Sequence, residues 1–173
     1  MQQKWVKLVF TSIALAVLAA AQENRPSPPA TADVILAGKQ ITIKYSRPSM
    51  RGRKIMGDLV PYGQVWRTGA NEATTLITPV ALKIGTVDVA AGEYTLWTLP
   101  GANAWTLIIN KQTGQWGTDY DQKQDLARVE MQRSTTAQPV EQFLISWHKV
   151  SDRKAELVLA WETTRVSVPV EAR

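Results

Sequence analysis

Apolar and polar residues alternate at every second position through most of the chain after residue 31, and this alternation restricts the fold more than any other feature. Ile41, Ile43 and Tyr45 form one such run, with polar residues between them. The same pattern recurs at residues 105–109, 143–147, 157–161 and 166–170. Successive side chains of a strand point to opposite faces of a sheet, so this period predicts about eight to ten short strands with one buried face each.

Turn-forming dipeptides separate the predicted strands. Glycine, proline and short polar residues mark hairpin turns because they accept the backbone angles that tight turns need. We expect such turns at Gly38-Lys39, Gly85-Thr86, Ala91-Gly92, Pro100-Gly101 and Ser151-Asp152. A helical turn is compatible with residues 121–128 alone. The sequence therefore predicts a single all-β domain, built as a jelly-roll-like antiparallel β-sandwich or as a flattened barrel.

The first 21 residues have the pattern of a cleaved export signal. Lys4 and Lys7 form a positive region, residues 8–18 an apolar region, and residues 19–21 a small-residue cleavage site. The apolar stretch is shorter than a membrane-spanning helix. We expect a cleaved signal at 1–21, a proline-rich linker at 22–31 and the β domain at 32–173. The expected location is the periplasm or the outside of the cell, without membrane attachment after cleavage.

Few types of reactive residue are available to this chain. It has no cysteine and one histidine, His148, which excludes disulfides, thiolate metal sites and sites built from several histidines. The sequence also lacks the G-x-S-x-G motif that presents a nucleophilic serine. Asp119, Asp121 and Asp125 resemble the carboxylates of a calcium loop, but the turn glycine of such a loop is missing. We therefore expect neither a bound metal nor a cofactor.

Positive charge is concentrated in one segment. The net charge of the full chain is +5, and it falls by two to +3 when Lys4 and Lys7 leave with the signal. Residues 47–74 hold five cations and two acids, a surplus of three that equals this total. A local positive field of this size suits a small anionic ligand, whereas a nucleic-acid groove needs a longer basic surface.

Residues 47–74 also form the longest connection between predicted strands. A connection of this length in a compact β domain is usually functional or disordered. Its apolar residues argue against disorder because they can fold the segment back onto the core; they are Ile55, Met56, Leu59, Val60, Tyr62, Val65 and Trp66. We expect an ordered segment that forms one wall of a shallow cationic pocket.

The motif WRTGANEAT, residues 66–74, holds the first candidate ligand-binding residues. Arg67 offers a rigid guanidinium to a carboxylate or phosphate, Asn71 offers donors and acceptors, and Glu72 offers a carboxylate. Gly69 permits a backbone turn that a side chain would obstruct. The alternative is structural: Arg67 and Glu72 would pair with each other and fix the loop, while Asn71 would cap a turn.

Two further groups complete the candidate site. Arg51, Arg53 and Lys54 flank Gly52 in the motif MRGRK, where they would supply a positive field and secondary contacts. The alternative for them is a solvated basic turn. Trp116 lies in a glycine-flanked loop and would form a wall of the pocket, or otherwise a lid over the edge of the core.

Several blocks of the sequence match the pattern of a known family. They are YSRPS, GRKIMGDLVPYGQVWRTGANEAT, VAAGEYTLWTLPG, WTLIINK, QWG and LVLAWETTRVSVPV. Through these blocks, over residues 33–170, the chain resembles an exported bacterial family catalogued as domain-of-unknown-function family 2911. The resemblance implies an exported β protein and no assigned activity.

Three functions are compatible with these residues. We favour an exported, non-catalytic binding domain for a small anionic or carbohydrate-like ligand. The first alternative is a carboxylate-dependent hydrolase that uses Glu72 as a general acid or base. The second is a structural or interaction domain of the cell envelope, in which the arginines bind internal carbonyls and carboxylates.

Overall fold

The computed structural model describes residues 25–173, so the predicted signal peptide and residues 22–24 lie outside the described part of the chain. The strands in the described part are β1 Pro29–Leu36, β2 Lys39–Ser46, β3 Thr75–Thr78, β4 Leu82–Ile84, β5 Val87–Val89, β6 Gly92–Leu99, β7 Trp105–Asn110, β8 Asp125–His148 and β9 Lys154–Ala172. A 3₁₀ turn, Gln122–Gln124, lies in the region predicted to hold a helical turn.

All nine strands belong to one antiparallel sheet in the order β1-β2-β3-β6-β7-β8-β9-β4-β5. The sheet is not closed into a ring. Strand β8 pairs with β7 as far as Met131 and with β9 from Gln132 onwards, so a single strand belongs to both halves of the sheet. The sheet can therefore curl over and enclose a core. The predicted fold class, an all-β chain in an antiparallel sandwich or flattened barrel, is confirmed.

Contacts between β2 and β8 show how the two halves face each other. The ring of Tyr45 lies edge-on against Phe143, with 5.8 Å between the ring centroids. The hydroxyl of Tyr45 accepts a hydrogen bond from the backbone N–H of Ile145 at 3.1 Å. Just after β2, Ser49 forms a β-bridge to Gln142 in β8. The long connection that follows β2 therefore starts where the two halves meet.

The alternating runs bury their apolar faces as predicted. Ile41, Leu107 and Trp161 are 2% exposed or less and belong to one core between the halves of the sheet. Strand β6 also contributes to a second, smaller cluster, because Leu96 faces the main core while its neighbour Trp97 lies in the other cluster. This second cluster lies beneath the loops that form the candidate site.

Two turn predictions need correction. The first hairpin turn is Ala37-Gly38, one residue before the predicted position, because Leu36 pairs with Lys39. Ala91-Gly92 is wrong as a hairpin turn, since it joins β5 to β6, which are not neighbours in the sheet. The other three predicted positions do lie between neighbouring strands.

Strand length also differs from the prediction of short strands. Strand β8 has 24 residues and β9 has 19. Their pairing shifts register twice, between Thr135 and Val140 and between Val140 and Leu144. Register shifts bend a strand pair. The mostly polar residues 135–142 therefore mark a bend within long strands rather than the end of a short one.

The folded domain begins before the predicted boundary at residue 32. Residues 29–31 are the first residues of β1 and pair with the end of β2. A proline is tolerated at the first position of a strand because its missing N–H is not needed there. The N–H of Arg47 donates to the carbonyl of Pro28 at 2.9 Å. The predicted linker is therefore corrected: residues 25–31 belong to the domain.

Candidate functional site

The connection between β2 and β3, residues 47–74, is ordered and packs on the sheet. We call it the crossover segment. It forms β-bridges to β8 through Ser49 and to β6 through Trp66, whose partner is Thr98. The expected ordered segment is therefore present.

Apolar side chains fix the middle of the crossover segment. Ile55 is 0% and Val60 1% exposed, and both pack in the main core. Leu59 and Tyr62 behave differently from the prediction, since they are 45% and 41% exposed. Apolar side chains of this size left at the surface are available for contact with a ligand or partner.

Residues 67–73, which we call the site loop, leave the edge of β6 and return to it. Before the loop, Trp66 and Thr98 exchange two backbone hydrogen bonds of 2.7 and 2.9 Å. After the loop, the N–H of Leu96 donates to the carbonyl of Thr74 at 2.8 Å. Both ends of the site loop are therefore attached to neighbouring positions on one strand.

Buried threonines hold the base of the site loop together. The hydroxyl of Thr74 donates to the carbonyl of Thr68 at 2.7 Å. The hydroxyl of Thr68 also donates to that of Thr98 at 3.1 Å. All three residues are 0% exposed. A buried polar group without a partner is costly, so the network favours this one loop conformation.

The backbone of the site loop is strained. Thr68 has a φ angle of 55°, in the left-handed region that β-branched residues rarely adopt. Asn71, at 60°, is a residue type that adopts this region more readily. Gly69 has a φ of 154°, and a Cβ added there would lie 3.0 Å from the carbonyl oxygen of Ser46. The prediction that Gly69 is needed for the backbone turn is confirmed. Strain of this kind concentrates at functional sites, where the surrounding structure maintains it.

A cavity of about 490 Å³ opens between the crossover segment and the loop of residues 111–121. Two arginines, four aromatic residues and a set of small or apolar residues line it. They are Arg53 and Arg67; Trp66, Trp97, Tyr120 and Trp161; and Ser27, Pro48, Leu59, Val60, Val65, Gly69, Ala70, Gly117 and Thr118. None of these lining residues in the described part of the chain is acidic. The cavity therefore combines positive charge with aromatic surface.

Arg67 is partly buried in this cavity. Its aliphatic part lies on Gly117, because a Cβ added to that glycine would come within 2.4 Å of Cδ of Arg67. Among residues 25–173, Arg67 forms no hydrogen bond and no ion pair. A guanidinium presents five N–H donors in a planar fork. Arg67 can therefore receive an anionic ligand inside the cavity.

Glu72 does not line the cavity, and the Arg67–Glu72 pair of the structural alternative is not formed. The carboxylate of Glu72 accepts a hydrogen bond from Arg25 at 2.7 Å. This hydrogen bond holds the pKa of Glu72 below its ordinary value of 4.5. Glu72 instead lines a separate groove of about 520 Å³, together with Lys44. The two residues predicted to act together therefore lie in different depressions.

Residues 25–28, which we call the N-terminal arm, lie against the site loop and the crossover segment. The side chain of Asn71 donates to the carbonyl of Ser27 at 3.1 Å. The guanidinium of Arg51 donates to the carbonyl of Pro26 at 2.9 Å. Together with the ion pair described above, these contacts place the arm at the site, and Ser27 lines the cavity. The proline content of these residues predicts a linker and gives no sign that they contact the site.

The predicted basic group, Arg51, Arg53 and Lys54, lies in an exposed turn. The backbone N–H of Arg51 donates to the carboxylate of Glu141 at 2.9 Å, so this amide is already occupied. Arg53 donates to two backbone carbonyls at 3.0 and 2.8 Å. Of the three, Arg53 alone lines the cavity. This geometry fits the solvated basic turn better than an anion-binding turn.

The aromatic wall of the cavity includes a residue that was not predicted. Trp116 lies in the loop of residues 111–121, as expected, and is 46% exposed. Its neighbours Gly117 and Thr118 line the cavity, whereas Trp116 does not. Tyr120, four positions further on, supplies a wall instead. Its place in the same loop was the signal available in the sequence.

Hydrogen bonds fix the orientation of Tyr120. Its hydroxyl donates to the carboxylate of Asp125 at 2.8 Å and accepts from Arg128 at 2.9 Å. Its ring lies 5.0 Å from that of Trp97, at an interplanar angle of 50°. Burial and the neighbouring Asp125 raise the pKa of Tyr120 to about 12. The side chain is therefore neutral near pH 7 and presents a fixed ring to the cavity.

The other residues considered for catalysis or metal binding lie outside the cavity. Among residues 25–173, no three His, Cys, Asp or Glu side chains are grouped closely enough to hold a metal ion. Asp121 caps the 3₁₀ turn by accepting from the N–H of Lys123 at 2.9 Å. The hydroxyl of Ser146 lies 3.0 Å from Nε2 of His148 on an exposed strand face. In the same part of the chain, no helix is long and apolar enough to cross a membrane.

Comparison with known proteins matches the chain to a family profile. The sequence profile of a family described as "Protein of unknown function (DUF2911)" matches residues 27–170. No curated protein and no solved structure gives a significant match.

Proposed function

The chain belongs to this family of proteins of unknown function, and membership assigns no activity. From the geometry, we propose that the chain is a non-catalytic binding protein for a small organic anion. The cavity lined by Arg67 is the binding site. The observation that supports this most directly is that Arg67 is partly buried, lines the cavity, and has no acceptor for its guanidinium within residues 25–173.

The other arginines of the crossover segment provide a useful contrast with Arg67. Arg47 donates to the carbonyl of Phe143 at 3.0 Å. Arg51 and Arg53 also donate to backbone carbonyls. These three arginines fit the structural alternative, in which guanidinium groups satisfy internal carbonyls. Arg67 is different, because within residues 25–173 its guanidinium has no acceptor and can bind a group that comes from outside.

The composition of the cavity favours an anion over a neutral carbohydrate. Sugar hydroxyl groups need acceptors as well as donors, and carboxylates usually provide them. No lining residue in the described part of the chain is acidic, and the hydroxyl of Tyr120 is already bonded on both sides. The hydroxyls of Ser27 and Thr118 are the remaining side-chain acceptors of the lining. A carboxylate or phosphate therefore matches the site better than a polyol.

The geometry offers no support for the hydrolase alternative. Glu72 lies outside the cavity, is paired with Arg25, and has a lowered pKa. A general acid needs a raised pKa near the working pH. Asp58, the other acid of the crossover segment, is exposed and does not line the cavity.

Export remains part of the proposal. Residues 1–21 have the charge, hydropathy and small-residue pattern of a signal peptide. The binding site would then act in the periplasm or outside the cell. The absence of cysteine suits an oxidising compartment, since no thiol is available for unwanted disulfides.

Titration of mature protein (residues 22–173) with organic anions tests the proposed function. Trp66, Trp97 and Trp161 line the cavity, so tryptophan fluorescence and calorimetry can both follow binding of benzoate, octanoate, inorganic phosphate and glucose. We expect at least one organic anion to bind, glucose not to bind, and the affinity to fall as salt is added.

Arg67→Ala should weaken that binding by about 10- to 100-fold, the loss expected for a charged hydrogen-bond partner. Lys54→Ala is the matched control, because it removes one positive charge from an exposed residue of the same segment that does not line the cavity. Equal affinities in Arg67→Ala and wild type would overturn the proposal. Hydrolysis of an ester or glycoside that Glu72→Gln abolishes would favour the alternative.

A further inference from the structure

The lining of the cavity narrows the class of anion. Resting on the proposed function, we infer that the ligand is an aromatic carboxylate, whose carboxylate binds Arg67 and whose ring lies on Tyr120. Neither the family nor the sequence pattern assigns this class.

The number of free guanidinium donors favours a single carboxylate. Arg67 has its whole planar fork available among residues 25–173. Arg53 already donates through Nε and Nη2 to the carbonyls of Met50 and Ser49, so it adds charge more than directed hydrogen bonds. One planar fork matches the two oxygens of one carboxylate.

The second element of recognition is a flat surface that is fixed before binding. The ring of Tyr120 is partly buried, lines the cavity and is backed by Trp97. Asp125 and Arg128 hold its hydroxyl, so the ring cannot turn away. A fixed aromatic face costs little entropy when a second ring packs on it. The hydrogen bonds of Tyr120 with Asp125 and Arg128 therefore orient this wall of the cavity.

Part of the remaining lining suits an apolar body. Leu59 lines the cavity and is 45% exposed without a ligand. Val65 and Trp66 add partly buried apolar surface. Covering this surface with an apolar ring removes it from water, which favours binding. A volume of about 490 Å³ leaves room for a ring and a short side chain, beyond what acetate needs.

Calorimetric titration of the mature chain with a graded series of ligands tests the inference. Benzoate and indole-3-acetate supply a carboxylate and a ring, cyclohexanecarboxylate replaces the flat ring by a puckered one, acetate lacks a ring, and benzyl alcohol lacks the charge. We expect benzoate or indole-3-acetate to bind about 10-fold or more tightly than each of the other three, a difference of about 1.4 kcal/mol.

Variants at Tyr120 separate the ring from the hydroxyl. Tyr120→Leu should reduce the affinity for the aromatic carboxylates about 10-fold and leave that for acetate unchanged. Tyr120→Phe keeps the ring and should retain most of the preference for aromatic carboxylates. This variant still tests the role of the ring if Tyr120→Leu does not fold. Tyr62→Leu is the matched control, because Tyr62 is an exposed aromatic residue of the crossover segment outside the cavity lining.

The outcomes distinguish this inference from the proposed function. If binding depends on Arg67 but aromatic carboxylates are no better than acetate, cyclohexanecarboxylate or inorganic phosphate, the aromatic class is wrong and the anion site stands. If aromatic carboxylates bind Arg67→Ala as tightly as wild type, both are wrong. Loss of the aromatic preference in Tyr62→Leu, with retention in Tyr120→Leu, would also overturn the inference.

Discussion

Gly117 shows how the lack of one side chain shapes the cavity. A Cβ at this position would lie 2.4 Å from Cδ of Arg67 and 2.6 Å from the carbonyl oxygen of Asn71. Both distances are shorter than van der Waals contact, and the carbonyl belongs to the backbone of the strained site loop. Gly117 also donates its N–H to that same carbonyl at 2.9 Å. The glycine therefore lets the two loops approach closely and lets Arg67 lie across the gap.

The raised pKa of Tyr120 predicts a loss of stability in alkali. Its pKa is about 12 in the folded protein, against an ordinary value of 10.0. Between these two pH values the unfolded chain has lost the phenolic proton while the folded chain keeps it, so the free energy of unfolding falls as the pH rises. Below pH 10 the contribution is fully present. We expect urea unfolding to show this decline in wild type between pH 10 and 12.

Tyr120→Phe provides the comparison for that measurement. Phenylalanine has no proton to lose, so the variant should decline less steeply than wild type over the same range, whatever the other tyrosines and lysines contribute. Identical slopes in the two proteins would show that the hydroxyl of Tyr120 is not held as described.

At the scale of elements, the N-terminal arm and the site loop act as one unit. The ion pair between Arg25 and Glu72 joins them, but their side chains are 38% and 52% exposed. An exposed pair of this kind contributes less than about 1 kcal/mol to stability. The pair should therefore hold the site loop in place and contribute little to the stability of the whole fold.

We expect Arg25→Ala to leave the melting temperature almost unchanged and to speed hydrogen exchange of the amides in residues 67–73. Arg173→Ala is the control, since it removes another exposed pair, with Asp88 at 3.2 Å, outside the site. Because the pKa of Glu72 is lowered, the same local loosening should appear in wild type only when the pH falls below 4.5. Unchanged exchange in Arg25→Ala would mean that the arm does not stabilise the loop.

The elements also show how far sequence patterns reach. Period two is a local property of strands, so the buried faces around Ile41, Leu107 and Trp161 could be predicted from neighbouring residues. The long interval between predicted strands likewise predicted the crossover segment, residues 47–74. The pairing of Arg25 with Glu72 joins residues 47 positions apart in the chain. Tyr120, Asp125 and Arg128 are close in sequence, but their contacts depend on how the loop of residues 111–121 enters β8. Strand period and hairpin signals describe neither kind of contact, so these contacts could not be predicted from the sequence patterns.

At the scale of the whole molecule, the two halves of the sheet share one strand. Strand β8 pairs with β7 at its start and with β9 over the rest of its length. Neither half can separate without breaking β8, and the core lies between them. We therefore expect one cooperative unfolding transition, in which denaturation curves from tryptophan fluorescence and from far-ultraviolet circular dichroism coincide.

Trp161→Ala offers a test of this cooperativity. Trp161 is 2% exposed, and its ring stacks on Trp66 of the crossover segment at 5.8 Å between centroids. Its loss should destabilise the fold by about 3–5 kcal/mol and shift both curves together. Two separate transitions, in either protein, would show that the halves fold independently.

The contacts that the β8–β9 hairpin makes with β1 have a consequence for a chain made almost wholly of strands. The indole of Trp147 donates to the carbonyl of Ala32 at 3.2 Å, and the N–H of Ala37 donates to the carbonyl of Asp152 at 2.6 Å. Strand β1 is an outer strand of the sheet, where open backbone groups can pair with a neighbouring molecule and start a fibril. The carbonyl of Ala32 in β1 is one such group, and its bond to Trp147 leaves one fewer backbone group open to a neighbouring molecule.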